Sequence, residues 1–254
     1  MFARRIDLSM FKNILRHLLG IFALLIFALS LIIASIAYVL VFLIASEKKA
    51  PHIAHVYISR TWASFLFPAF GIRVKVLHQE RINPESTYVF VANHRSLLDV
   101  PAYAVACTNT FRFLAKEELT KIPLLGFIIR KLYISVNRKN KAARVKSMEN
   151  MLKSIQEDIS VFLCPEGTRN KGDQPLLSFH DGAFRLAIAA QVPLAVMTIK
   201  NSDQLLSPNN PLALSPGTLE CIWSEPIPTT GMTEDDIPRL REMARSEMIR
   251  HWTS

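Results

Sequence analysis

Cysteine is scarce: the 254 residues contain three, Cys107, Cys164 and Cys221. The number is odd and no two are spaced as CxxC, so neither a disulfide framework nor a zinc site is legible. That usage fits a catalytic side facing a reducing compartment. No G-x-S-x-G elbow occurs, which argues against the serine nucleophile of an α/β-hydrolase. Internal repeats and low-complexity tracts are missing as well. Acidic residues fall short of basic ones, 21 Asp+Glu against 30 Lys+Arg, leaving a formal charge of +9. The excess crowds the middle of the chain: Arg112, Lys116, Lys121, Arg130, Lys131, Arg138, Lys139, Lys141, Arg144 and Lys146 face only Glu117 and Glu118. Such a balance draws anionic partners. No nucleic-acid recognition motif accompanies it, so no nucleic acid is expected.

What the chain has in abundance is apolar residues, half of the total. Much of the excess lies in residues 18–45, 28 positions without a charge. As a helix this run would be about 42 Å long, against a hydrocarbon core of about 30 Å. A signal peptide has a shorter apolar region. Arg4, Arg5, Lys12 and Arg16 precede the run and Lys48 and Lys49 follow it, a bias toward an inside N-terminus. Residues 53–68 are again apolar and aromatic, with Arg60 in their middle, and fit an amphipathic interfacial helix. A single span would carry the rest of the chain across the membrane. A helical pair dipping into one leaflet would leave both ends on one side, and this is the arrangement expected. Residues 1–70 are therefore read as membrane-anchoring helices and 71–254 as the catalytic domain.

From residue 71 the pattern alternates between strand and helix. Strands are expected at residues 72–77, 87–92, 111–115, 133–136, 159–163, 194–199 and 219–223, from alternating or buried β-branched and aromatic runs. Helices are expected at 96–107, 122–131, 141–157, 182–190 and 233–251, the last opened by Glu234, Asp235 and Asp236. The fold class is α/β: a helix-flanked, largely parallel or mixed seven-stranded sheet behind an N-terminal membrane-associated helical pair.

Two strings carry the chemistry. In Asn93-His94-Arg95-Ser96-Leu97-Leu98-Asp99 a histidine stands at a strand-to-helix turn, with a carboxylate five residues on. The carboxylate can fold back on the imidazole, fix its tautomer and stabilise the imidazolium formed when it takes a proton. Ser96 and Asp99 also read as a capping box with Asp in place of Glu. In Cys164-Pro165-Glu166-Gly167-Thr168-Arg169 a turn follows a buried strand. Its glycine permits close backbone approach, its free N–H groups suit an anion, and Arg169 offers a planar fork of donors for phosphate. Cys164 follows an apolar strand, and a buried small hydrophobe suits it better than an acyl-enzyme nucleophile.

With these residues in hand, the chain resembles the lysophospholipid acyltransferases, the 1-acylglycerol-3-phosphate acyltransferase family. The likeness covers residues 71–203. Residues 93–99 are similar to the family's first block, NHxSxxD. Residues 115–119, 122–126 and 133–138 resemble the stretch leading into the second. Residues 165–169 resemble the third, and Phe179-His180-Asp181-Gly182-Ala183-Phe184 its sequel. Three departures stand out: Cys164 replaces the usual Phe, Asn137 stands where Asp is frequent, and residues 192–197 lack the fourth block's second proline.

The resemblance implies transfer of a fatty acyl chain from a thioester to the hydroxyl of 1-acyl-sn-glycerol 3-phosphate, giving phosphatidic acid. By it, His94 is the base and Asp99 its orienting partner. Glu166 and Gly167, with Thr168 in the same turn, position the acceptor. Arg138, Arg169 and Lys116 hold its phosphate. No metal and no bound cofactor is implied; acyl carrier protein or CoA thioester is the co-substrate, and the partners are lysophosphatidic acid and membrane lipid. The place implied is the cytoplasmic face of the membrane. The same chemistry on glycerol 3-phosphate, another lysophospholipid or a lyso-aminolipid stays open, as does a non-catalytic module that binds anionic lipid.

Overall fold

A computed structural model of the chain describes residues 8–46, 49–137 and 140–253. Arg4, Arg5, Lys48, Lys139 and the expected phosphate ligand Arg138 lie outside them. The apolar run lies within one helix that starts ahead of it, α1 (Leu8–Ile44). Residues Ser9–Ile44 are long and apolar enough to cross a membrane, with a mean hydropathy of 2.8 over the most apolar stretch. Next come α2 (Ala50–Ile53), a π-helical turn Ala54–Ser59, and α3 (Arg60–Ala69).

One flank of α1 leans on the rest of the molecule along most of its length. The Arg16 carbonyl accepts from the Leu214 N–H at 3.1 Å. Gly20 meets the backbone of Leu212 so closely that a Cβ there would lie 1.8 Å from its carbonyl oxygen, so only glycine fits. Further along, Phe27 stacks on Trp62 at 5.5 Å. Trp62 also donates to the Ser30 hydroxyl at 2.9 Å. Tyr38 and Ser59 share a buried hydroxyl–hydroxyl hydrogen bond of 2.8 Å. The opposite flank exposes Ile14, Leu18, Leu25, Leu29, Ile33, Ile36 and Leu43.

The strands are β1 (Ile72–Leu77), β2 (Val89–Ala92), β3 (Phe111–Lys116), β4 (Ile134–Val136), β5 (Ser160–Leu163), β6 (Leu194–Lys200) and β7 (Gly217–Trp223). They form one mixed sheet in the order β1-β7-β6-β2-β5-β3-β4. From β6 to β4 all neighbours are parallel, whereas β7 runs antiparallel to β6 and carries β1 parallel to itself. The helices are α4 (Asp99–Ala106), α5 (Leu125–Leu132), α6 (Lys141–Gln156), α7 (Gly182–Ala190), α8 (Ser202–Leu205) and α9 (Ile237–Thr253).

Both faces of the sheet are covered, which is why β2, β5 and β6 read as unbroken apolar runs. Period-two geometry divides them between two cores. Phe90, Ala92, Phe162, Ala195 and Met197 point to α3 and α4, joined there by Tyr103 and Trp223. Val89, Val91, Val161, Leu163 and Val196 point to α6, α7 and α9. A third cluster, with Ala34, Tyr38, Ala54, Ile128 and Leu132, holds α1 to α5. The expected helix at 96–107 starts three residues late, at Asp99. Residues 93–98 are held instead in a turn by side-chain bonds.

Sheet order fixes where a ligand can sit. The chain leaves β2 toward β3 on one side and leaves β5 toward β6 on the other, so the connections part between adjacent strands. A crevice opens beyond the carboxyl ends of strands at such a switch point. The two motif strings follow β2 and β5.

Candidate active site

Asn93 directly follows β2 and is locked to β6. Its amide donates to the Ile199 carbonyl at 2.9 Å, and its side-chain oxygen accepts from the Ile199 N–H at 2.7 Å. Tyr103 of α4 donates its hydroxyl to the Asn93 carbonyl at 2.7 Å. His94 therefore leaves a backbone braced on two sides.

The His94 ring bonds through Nδ1 to Asp99 Oδ2 at 2.8 Å. The Asp99 carboxylate is fully buried. The same oxygen accepts the backbone N–H groups of Arg95 at 2.6 Å and Ser96 at 2.7 Å. Half of the capping box is thus real: Asp99 reaches back to Ser96 N–H. The Ser96 hydroxyl instead donates to the Leu206 carbonyl at 2.7 Å and accepts from the Leu98 N–H. Cap and orienting partner are one carboxylate here, not rivals. An anion held by two backbone donors suits an Nδ1–H, which leaves Nε2 as the ring's lone-pair nitrogen. Nε2 has no hydrogen-bond partner within the described residues, and the His94 side chain is 19% exposed.

Glu166 sits one strand over, in the turn after β5, and is buried. One oxygen accepts the His94 backbone N–H at 2.9 Å and the other accepts the Leu177 N–H at 2.8 Å. Burial pushes its carboxyl up, and these two N–H groups pull against that shift. Its oxygens face the protein's own backbone rather than an open crevice. Gly167 has φ +69°, and a Cβ on it would come within 2.8 Å of the His180 imidazole, so glycine is required twice over. Beyond it Thr168 is exposed and Arg169 half-buried. No hydrogen bond or ion pair of the Arg169 guanidinium occurs among the described residues.

His94, Asp99 and Glu166 are thus joined by direct hydrogen bonds, and Gly167, Thr168 and Arg169 follow on the same turn. Lys116 ends β3, next to β5 in the sheet. Its side chain is 59% exposed and its ammonium pairs with Glu118 at 3.1 Å, so it takes no part in the hydrogen bonds that join His94, Asp99 and Glu166. Among the described residues no three His, Cys, Asp or Glu side chains gather as metal ligands do.

Sequence reasoning missed the residues that bind the two turns together. Asn170 donates its N–H to the His94 carbonyl at 2.8 Å. Arg95 is buried and points into the loop beyond the cradle. It donates to the carbonyls of Gly172 at 3.0 Å, Gln174 at 2.7 Å and Pro175 at 3.3 Å, and to Asp203 Oδ2 at 2.7 Å. Its guanidinium lies 5.2 Å from the Trp252 ring. Arg95 occupies the first of the three unspecified positions of NHxSxxD. The only signal in the sequence was an arginine beside His94, and its partners lie 77 to 108 residues on. Cys164 is half-buried, with Sγ 3.4 Å from the Tyr103 hydroxyl.

Comparison with known proteins identifies the family. A family model described as Acyltransferase matches residues 73–200, half of the chain. The 1-acyl-sn-glycerol-3-phosphate acyltransferase alpha of Mus musculus is 31% identical over 182 residues, covering 71% of this chain and 64% of that protein. The chain therefore spans less than two thirds of that relative's length. A 1-acyl-sn-glycerol-3-phosphate acyltransferase of Haemophilus influenzae is 28% identical over 190 residues, covering 72% of this chain and 76% of that protein. The crystal structure of the 1-acyl-sn-glycerophosphate (LPA) acyltransferase PlsC from Thermotoga maritima shares the fold. Its TM-score is 0.80 at 23% identity, with 94% of this chain and 97% of that one covered.

Proposed function

The chain belongs to the acyltransferase family, and from that premise we propose that it makes phosphatidic acid, moving a fatty acyl chain from a thioester to the free hydroxyl of 1-acyl-sn-glycerol 3-phosphate. The observation that most supports this is the 2.8 Å bond between His94 Nδ1 and Asp99. It leaves Nε2 as the acceptor of a proton at the crevice beyond β2 and β5.

In this mechanism Nε2 takes the proton of the acceptor hydroxyl as its oxygen attacks the thioester carbonyl. Asp99 stabilises the imidazolium that forms. The tetrahedral adduct collapses, the carbon–sulfur bond breaks, and the thiolate recovers the proton from His94. The thioester supplies the activation, so no bound cofactor or metal takes part. Glu166 holds the backbone of the base and shapes the cradle. Arg169, Thr168 and Lys116 meet the acceptor's phosphate, and Arg138 is proposed to join them.

The reading includes the membrane. At about 1.5 Å per residue, α1 is roughly 55 Å long, well beyond a hydrocarbon core of about 30 Å. Its contacts with the domain run from Arg16, bonded to Leu214, through Tyr38, packed with Ile128 and Leu132, to Phe42, whose ring meets Phe127 at 6.4 Å. A helix flanked by the domain along that length fits one leaflet, with α2 and α3 beside it. Both ends then stay on the cytoplasmic side, where acyl carrier protein and CoA thioesters are found.

The test is thiol release and phosphatidic acid formation with purified protein, acyl-CoA or acyl carrier protein, and a panel of acceptors. The panel holds 1-acyl-sn-glycerol 3-phosphate, glycerol 3-phosphate, other lysophospholipids and a lyso-aminolipid. The lysophosphatidate should be preferred, and His94→Ala should lower kcat about a hundredfold or more. Wild-type turnover by His94→Ala would remove the mechanism. A chain that binds anionic vesicles with no transfer to any acceptor would be a binding module instead.

A further inference from the structure

The connection between β3 and α5 carries three large apolar side chains on the surface. Leu119, Ile122 and Leu124 are 38%, 43% and 44% exposed. Leu124 also borders α1: an apolar groove of about 220 Å³ lies between it and Ile32, Ser35, Ile36, Val39 and Leu40. Ile32, Ile36 and Leu40 form a stripe at four-residue spacing on the flank that α1 leaves exposed. Two segments distant in sequence therefore make one continuous apolar surface. Leu124 keeps its place there with φ +61°, a conformation uncommon for a side chain of its kind.

Cations surround this surface. Lys116, Lys121, Arg130 and Lys131 are all exposed. The Lys131 ammonium lies 5.9 Å from the Phe42 ring of α1. The acids in the same stretch are Glu117 and Glu118, and Glu118 is paired with Lys116. Apolar side chains rimmed by basic ones match the layering of an anionic leaflet, acyl chains below and phosphates above.

We propose that residues 117–124 form a further membrane-entering element, beyond the N-terminal helices. Leu119, Ile122 and Leu124 enter the same leaflet as α1, and Lys116, Lys121, Arg130 and Lys131 meet anionic headgroups. This rests on the membrane reading of α1 given above. It brings the end of β3 to headgroup level, beside the strand ends that carry His94 and Glu166. An acceptor lipid then reaches the site from the leaflet without leaving it.

The test places an environment-sensitive fluorophore on the full chain at Ile122→Cys, at Ile36→Cys on α1, and at Asp235→Cys. Asp235 leads into α9, on the other face of the sheet. A Cys164→Ser background suits the labelling, because Cys107 and Cys221 are buried and burial pushes both thiols up. Vesicles of phosphatidylcholine and phosphatidylglycerol with brominated acyl chains report depth. The labels at 36 and 122 should be quenched about twofold or more and the label at 235 should not. Quenching at 36 without quenching at 122 overturns the proposal and leaves the membrane reading of α1 standing. Quenching at neither removes both. A label at 122 already shielded before vesicles are added would mean contact with another protein surface, such as a second copy, and would overturn it too. As an independent check, Leu119→Glu with Ile122→Glu should weaken vesicle partitioning about tenfold while leaving turnover of detergent-dispersed substrate unchanged. Unchanged partitioning overturns the proposal.

Discussion

Around His94 the polar groups are held by backbone, whereas around Arg169 they are left to reach outward. Asp99 takes two backbone N–H groups besides the imidazole, and Glu166 takes two more. Arg95 gathers three carbonyls of the adjoining loop. Thr168 and Lys116 are exposed and Arg169 is half-buried. On the proposed mechanism, the difference separates two tasks. A base must be fixed to a few tenths of an ångström before substrate arrives. Side chains that grip a lipid phosphate gain from remaining adjustable. Changes on the first side should appear in kcat and stability, and changes on the second in the KM for acceptor.

Glu166→Gln tests the first side with the larger effect. One carboxylate oxygen becomes an amide NH2, and it then faces the N–H of either His94 or Leu177. A buried donor left without an acceptor costs about 1–3 kcal/mol. The shifted base should lower kcat on the order of tenfold or more. Thermal unfolding and initial rates check both. A variant with wild-type melting and kcat but a raised acceptor KM would assign Glu166 to the substrate instead, and the contrast would dissolve.

Arg169→Ala tests the second side with the smaller effect. The KM for the phosphorylated acceptor should rise about tenfold, the value of one charge-assisted contact, with kcat and melting nearly unchanged. Lys116→Ala should do less still, since its ammonium is largely in solvent and already paired with Glu118. A loss of kcat in Arg169→Ala comparable to that of Glu166→Gln would erase the distinction between the two sides.

The seven strands were legible because both faces of the sheet are buried, so β2, β5 and β6 announce themselves as apolar runs. Their order was not, since pairing β7 antiparallel to β6 leaves no local mark. The His94–Asp99 pair was legible from a five-residue step. What Glu166 does was not, because its partners are backbone N–H groups, which carry no letter in the sequence. Arg95 was passed over for the same reason: three of its four partners are carbonyls of residues 172–175, brought near only by the fold. The helix expected from residue 96 starts at Asp99 because the carboxylate of Asp99 holds the preceding N–H groups in a turn.

The central claim is that His94 and Asp99 act as one catalytic unit: besides holding the turn, the carboxylate affects the chemical step through the imidazole. Phosphatidic acid formation by His94→Ala, Asp99→Asn and the double variant, at saturating acceptor and thioester, tests it most directly. Each single change should lower kcat about a hundredfold or more, and the double variant should be no slower than His94→Ala alone. A double variant whose loss equals the product of the two single losses would show the residues acting independently and would contradict the account.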